Sequence, residues 1–435
     1  MNNNLDQFRD KEPDAPLNGG GPGGISGWSH KAFASFGNRV YRLYYFSMVG
    51  HWSSMNMQML ARNLLVFRIT GSGAILGVLA LSNAIPMILL TLPGGVIADR
   101  LQKKSVIQAC QIASIIVSLL TTLALVFGYL GPENPESWWV LVVSGVLQGA
   151  IQGFMMPARA AIVSEIVGPQ HLMNAISLNN LGMNIFRIIS PALAGFLIDV
   201  IDFWAVYAIM TAMIVFSWVC ILFVPPTSTR TVEGGNSLSD VMEGWRYLSG
   251  QKTIFYVLLF TVVAIILGAP YSQLLPMFTE DPNILNVSAT SMGVLITVSG
   301  IGAMIGSLIL ASLSNRKRGL IMIIAGLMMG VALVGFSFSK IWYLSLFLVI
   351  PIGLGSSGQM ALGNSLVQYY SDAAYRGRVM SFLMLGFGFS SLGAFFAGIL
   401  AEGIGVQWSV GSLAILLVVF CLLVLVAVPR VRKLD

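Results

Sequence analysis

The residues of this chain that could do chemistry fall into two groups. The first is a knot of charge in Gly94–Lys104 (GGVIADRLQKK), where Asp99 is followed by Arg100, Lys103 and Lys104. A carboxylate among cations can pair, release and pair again, which suits an electrostatic latch and not bond making. The second is a scatter of polar side chains inside apolar stretches: Arg62 and Arg187, with Asn56, Gln148, Gln152, Asn184, Gln273 and Gln359. Guanidinium and amide groups in such surroundings usually face an interior or a water-filled cavity, where they can hold the polar part of a small solute. Trp52, Met59 and Tyr271 would add soft apolar walls, and methionine adapts to varied shapes. Catalytic constellations are missing. There is no Ser/His/Asp grouping, His51 and His171 have no ligand-spaced partners, and Cys110, Cys220 and Cys421 sit in apolar stretches without a CxxC. The glycine run GIGAMIG (Gly300–Gly306) lacks the Lys-Ser/Thr of a phosphate loop. An enzyme, a metal site and a bound cofactor are therefore not expected.

The elements that position these residues follow from composition. The chain has 435 residues, 56% of them hydrophobic and only 10% charged, with a mean hydropathy of +0.81. Soluble domains carry roughly 25% charged residues, and a soluble fold could not hide this much apolar surface. A lipid exterior removes that problem. The net charge of +6 does not indicate a nucleic-acid partner, because the cations sit in short loops and form no continuous face. A span needs about 20 apolar residues, and twelve candidates are present: 41–67, 73–97, 105–130, 138–157, 174–198, 203–224, 253–278, 290–313, 319–338, 341–363, 379–401 and 407–428. The tight gaps near residues 200 and 340 leave open a merged pair or a re-entrant segment there. Residues 1–40 are polar and Gly/Pro-rich at Leu17–Gly27, without the apolar core of a cleavable signal, and are expected to be a disordered tail.

Lys and Arg set the expected orientation. With both termini cytoplasmic, one set of loops holds Arg100, Lys103, Lys104, Arg159, Arg230, Arg246, Lys252, Arg316, Lys317, Arg318, Arg376 and Arg378, while the opposite loops hold Arg68 and Lys340. The opposite loops carry acids, among them Asp199, Glu280 and Glu402. A polar linker, 225–251, divides the chain into a six-span bundle at 41–224 and another at 252–428, with a tail at 429–435. The halves echo one another. GGVIADRLQKK after span two has its counterpart in SLSNRKRG (Ser312–Gly319) after span eight, and Pro157–Ser177 after span four in Asn364–Ser381 after span ten. An all-α membrane protein of two pseudo-symmetric bundles follows, with solute sites near the midplane between them.

Gly95, Asp99, Arg100, Lys103 and Lys104 match the loop between helices two and three of the major facilitator superfamily, G-x-x-x-D-R-x-x-R/K-R/K. With ITGSGAILG (Ile69–Gly77), Pro157–Arg159, Asn174–Asn179, SPALAG (Ser190–Gly195) and YRGRVMS (Tyr375–Ser381), the chain from about residue 40 onward resembles a bacterial branch that includes the enterobactin exporter and macrolide and tetracycline efflux proteins. The resemblance implies a secondary transporter of the cytoplasmic membrane working by alternating access. Its conformational latch would comprise Gly95, Asp99, Arg100, Lys103 and Lys104, with Arg159, Arg376 and Arg378. Its substrate cavity would be lined by Trp52, Asn56, Met59, Arg62, Gln148, Gln152, Asn184, Arg187, Tyr271, Gln273 and Gln359. SPALAG resembles the antiporter motif of drug exporters, with Ser190 and Ala194 where glycines are usual; Ser190, Pro191 and Gly195 would serve close helix packing. Protons would be the coupling ion, yet Gly145 stands where many proton-coupled exporters carry an arginine. Export of small amphipathic or apolar compounds by a monomer in the lipid bilayer is the leading expectation. A lipid, lysolipid or nutrient carrier of the same fold is the alternative, and a non-transporting receptor a third.

Overall fold

Apolar residues in runs of 20 or more can satisfy their backbone in lipid only as helices, and the computed structural model is built of them. It describes residues 33–226, 237–313, 317–372, 375–432 and 434. Most of the expected tail, linker residues 227–236 with Arg230, and Arg316 lie outside the described residues. The long helices are α1 (Arg39–Thr70), α2 (Gly73–Arg100), α3 (Lys103–Val126), α4 (Pro135–Gly168), α5 (Gln170–Val200) and α6 (Phe203–Leu222). After a linker helix (Ser237–Gly250) come α7 (Lys252–Gln273), α8 (Ala289–Ser312), α9 (Arg318–Phe338), α10 (Trp342–Tyr370), α11 (Arg376–Ile404) and α12 (Val406–Ala427). Among the described residues, eleven helices are long and apolar enough to cross a membrane. The twelfth expected span, α1, has ample length at 32 residues but a more polar composition, and its Ser47, Ser53, Ser54 and Asn63 are buried against protein.

The hairpins near residues 200 and 340 are each two separate helices. Asp202 caps α6 through the Phe203 N–H, and Ser339 and Ile341 flank an extended link before α10. The unexpected junction is between α4 and α5, where residues 158–173, placed mostly in a loop by hydropathy, are helical up to a single break at Gly168. Its φ of 69° is one that only glycine adopts without strain. Span seven is interrupted instead. Pro270 and Pro276 each remove a backbone donor, so α7 kinks at Pro270 and continues as a short helix, Leu275–Glu280.

Small residues set the packing. Within the first bundle Gly149 and Gly153 of α4 lie on the backbone of α2, and within the second Gly302 and Gly353 join α8 to α10. Across the bundles α2 meets α11 and α5 meets α8, through Gly73 against Gly398, Gly77 against Phe395, and Gly195 and Gly293 against the facing backbones. Large apolar side chains such as Leu120, Phe347, Leu416 and Leu423 stay exposed on the outside, as a lipid-facing surface requires.

The start of the described chain docks on the α4–α5 turn, where Asn38 donates to the Ile166 carbonyl and the Ser35 N–H donates to Asn174. Near the other end, the Gly319 N–H at the start of α9 donates to the Leu434 carbonyl. Both ends therefore lie on one side of the molecule, termed the terminal side; the other is the distal side.

Candidate functional site

Three carboxylates join the bundles on the distal side, and they obey the two-fold relation between the halves. Asp199, at the end of α5, accepts the Ala289 N–H (3.1 Å) and the Thr290 N–H (2.7 Å) at the start of α8. Glu402, at the end of α11, accepts from the Ser72 hydroxyl and from the Ala74 N–H at the start of α2. Each acid thus sits at the positive end of a helix in the opposite bundle. Glu280, just past α7, forms a forked pair with Arg68 of α1, the shortest contact being 2.9 Å. Deeper along the same junction Asn63 donates to Gln273 (2.7 Å) and Thr297 to the Ile188 carbonyl (2.6 Å). Ser190, Pro191 and Gly195 lie where α5 is closest to α8, with Gly293 against the Pro191 carbonyl.

The terminal side is arranged otherwise. Lys103 pairs with Glu165 at 2.7 Å inside the first bundle. Arg378 pairs with Glu243 of the linker helix at 3.2 Å, and Tyr247 of that helix stacks on Tyr375 and donates to Asp372. Lys104 donates to the Leu222 and Val224 carbonyls at the end of α6. Asp99, Arg100 and Arg376 are exposed, and side chains added at Gly95 or Gly377 would meet open space. The distal side is closed, while the Asp99 carboxylate faces open space on the terminal side.

The polar residues expected in one cavity are divided among several places. Gln148 and Gln152 line a small pocket inside the first bundle, among α1, α3, α4 and α6. Arg159 joins them there, together with His51, Ser54, Gln58, Gln111 and Ser114. Arg62 of α1 lies beside Gly145, its Nη1 3.4 Å from where a side chain at that position would begin, and the Ser82 hydroxyl of α2 is nearer still. Arg187 is exposed on α5, and the Tyr271 hydroxyl of α7 bonds Ser299. Gln273 belongs to the distal junction, and Gln359 is buried in the second bundle. Trp52 packs on Tyr45 and Gly182, Asn56 is turned back to the Trp52 carbonyl, Met59 is exposed, and Asn184 is half-buried. On α1, Trp52 and Met59 are not among the pocket's walls; His51, Ser54, Met55 and Gln58 are.

Sequence reasoning missed the distal carboxylates as a joint and Arg159 as an interior group. For Arg159 a signal was present: Gln148, Gln152, Met155 and Arg159 recur at helical spacing on one face. For Asp199 and Glu402 the partners lie 91 and 328 residues away in sequence, and no local pattern announces them. Replacing both, as Asp199→Asn with Glu402→Gln, should weaken distal closure. Two exposed helix-end contacts of about 0.3–1 kcal/mol each would shift the populations by about three- to thirtyfold toward a distal-open state. The separation of spin labels at Tyr129 and Lys340, read by pulsed electron resonance, would report it.

Two helical bundles, packed through small residues at α2–α11 and α5–α8 and tied on one side only, are the build of a major facilitator transporter. A solved structure of a POT family transporter in complex with 5-aminolevulinic acid overlays with a TM-score of 0.72 at 13% identity, covering 91% of this chain and 97% of that one. The chain matches the transmembrane secretion effector family over residues 30–435 and belongs to it. Its relatives include the staphyloferrin A transporter of Staphylococcus aureus, 24% identical over 76% of this chain and 82% of that protein. Macrolide efflux protein A of Streptococcus pyogenes is 25% identical over 84% and 90% respectively.

Proposed function

We propose that this protein exports small amphipathic or apolar compounds across a bacterial cytoplasmic membrane by alternating access, with the terminal side in the cytoplasm. The observation that carries the reading is the one-sided joint: distal carboxylates are engaged, while Asp99 on the other side is exposed and without a partner among the described residues. A carrier that alternates needs contacts that exist in one state and not in the other. Asp99, on the same side as Arg100, Lys103, Lys104, Arg376 and Arg378, is the group free to close the terminal side when the distal side opens. The relatives named for macrolide efflux and for staphyloferrin A transport favour export of an organic solute. Proton coupling would fall to the distal carboxylates, since the buried residues among those described include no Asp or Glu.

The test is accumulation of neutral, anionic and cationic compounds in efflux-deficient cells. Lower accumulation of neutral or anionic members is expected. If only cationic dyes were cleared, the reading of an arginine-bearing interior would fall. If nothing were cleared, export would give way to the lipid or nutrient carrier, which labelled-lipid flipping in proteoliposomes and uptake assays would identify.

A further inference from the structure

The pocket inside the first bundle holds a cation without a counter-charge. Arg159 is only 7% exposed, and neither Nη1 nor Nη2 has a partner among the described residues. The walls of the pocket are His51, glutamines, serines, two methionines and Ile214, with no Asp or Glu among them. Two of the glutamines are already engaged: Gln111 donates to Ser217, and Gln148 accepts from Ser114. The side-chain oxygen of Gln111 is a third buried polar atom without a partner. Nearby, Tyr44 donates to the Arg159 carbonyl and fixes the backbone, leaving the guanidinium itself unbound.

Such an arrangement is costly if nothing fills it. A guanidinium does not shed its proton in proteins, so it cannot escape burial by becoming neutral. An unpaired buried charge carries a penalty that only a counter-ion or a full set of hydrogen bonds offsets. The described residues of the bundle interior offer no acid. Arg62 is a second cation there, with Nε and Nη1 also unpartnered, and Lys103 is already held by Glu165. The missing charge must come from outside the chain. Two free nitrogens in the plane of one guanidinium match the two oxygens of a carboxylate or phosphate edge. The partnerless Gln111 oxygen can accept a hydrogen bond from a hydroxyl or amine on the same molecule.

We propose that this pocket is an oxyanion-binding site, with Arg159 as the charge that holds the anion and Gln111, Gln148 and Gln152 as its amide walls. The inference rests on the transport reading and deepens it, by giving the cargo, or an ion that accompanies it, a negative oxygen-bearing group. Met55, exposed on α1 at the edge of the pocket, lies on the helix that carries Asn63 to the junction with α7. The pocket therefore adjoins the face on which the two bundles meet.

The experiment is titration of the purified full chain in lipid nanodiscs with sodium acetate, sodium succinate and sodium phosphate, followed by calorimetry and by thermal unfolding. Choline chloride holds the ionic strength constant. Saturable binding of at least one of these oxyanions is expected, with a rise in unfolding temperature. Arg159→Gln should weaken it by about tenfold or more, the worth of a charge-assisted pair. Should that variant fail to fold, Gln152→Glu answers the same question, because a resident carboxylate in the pocket should raise thermal stability and abolish oxyanion binding. No saturable binding of any of the three to the unmodified protein would overturn the proposal, as would binding unchanged in a folded variant. Counterflow of labelled succinate and phosphate in proteoliposomes separates the sources: exchange means an oxyanion on the cargo, and binding without exchange means a resident ion. Binding needs no transport, so it can hold while the export reading fails, and export can hold while binding is absent.

Discussion

Leucine in place of Gly398 is expected to leave both bundles folded and to prevent the distal side from closing. Even the first carbon of a side chain there would lie 2.1 Å from the carbonyl oxygen of Gly73 in the other bundle. That oxygen belongs to backbone, so a helix must shift to make room. The same holds at Gly195, where the first carbon would stand 2.2 Å from the Ala289 carbonyl oxygen. Overpacking costs about 1–3 kcal/mol, which moves a two-state equilibrium by about 5- to 160-fold. As the helix ends part, Glu402 would also let go of Ser72 and Ala74, which adds to the shift. Transport should fall by about tenfold or more in either variant, and the distance between spin labels at Tyr129 and Lys340 should lengthen. Gly355→Leu provides the contrast. Its clash is with the Ala325 carbonyl inside the second bundle, so it should lower the yield of folded protein and not redistribute states. Full transport with an unaltered distance distribution in Gly398→Leu would mean that the distal seam is not a moving contact.

The second large effect belongs to Asp99. Asp99→Asn should abolish transport while leaving the thermal stability of the purified protein unchanged within error. Asp99 is exposed at the end of α2, and it has no hydrogen bond or ion pair with any described residue. Neutralising it therefore removes nothing from the distal-closed state. Any loss must arise in a state where the carboxylate is engaged, and that state is the one closed on the terminal side. Gly95 makes the same point without charge. A leucine there has free space in the distal-closed state and would obstruct only a terminal side that closes over it. Accumulation assays at matched expression, with melting curves of both variants, would check the pair. Retained transport in Asp99→Asn would reduce the charged loop to a signal for topology.

Much of the architecture is readable from the residues alone, because a lipid environment leaves the backbone few options. Runs of apolar residues mark the positions of most helices to within a few residues. Errors arise where hydropathy is a poor guide. Residues 158–173 carry Arg159, Glu165 and His171 and so suggest a loop, yet they continue two helices around Gly168. Helix α1 is marked as a span by length, while its serines and Asn63, buried against other helices, keep it below the hydropathy of the other eleven.

The candidate site is less legible, and the reason is geometric. Periodicity tells which residues of one helix share a face, as Gln148, Gln152 and Arg159 do, but not which other helix that face meets. Arg159 reads as a loop charge and stands instead in a polar pocket beside His51 and Gln111. Arg62 reads as a cavity residue and stands beside Gly145 and Ser82 inside the first bundle. Composition along short stretches is enough to show the solvent around the chain and the order of its long helices. That Asp199, Glu280 and Glu402 tie the bundles on one side while Asp99 stays exposed on the other is visible only in the folded chain. Contacts between helices far apart in the chain depend on how two rigid bundles are turned toward each other, and one sequence must permit more than one such arrangement to carry anything across.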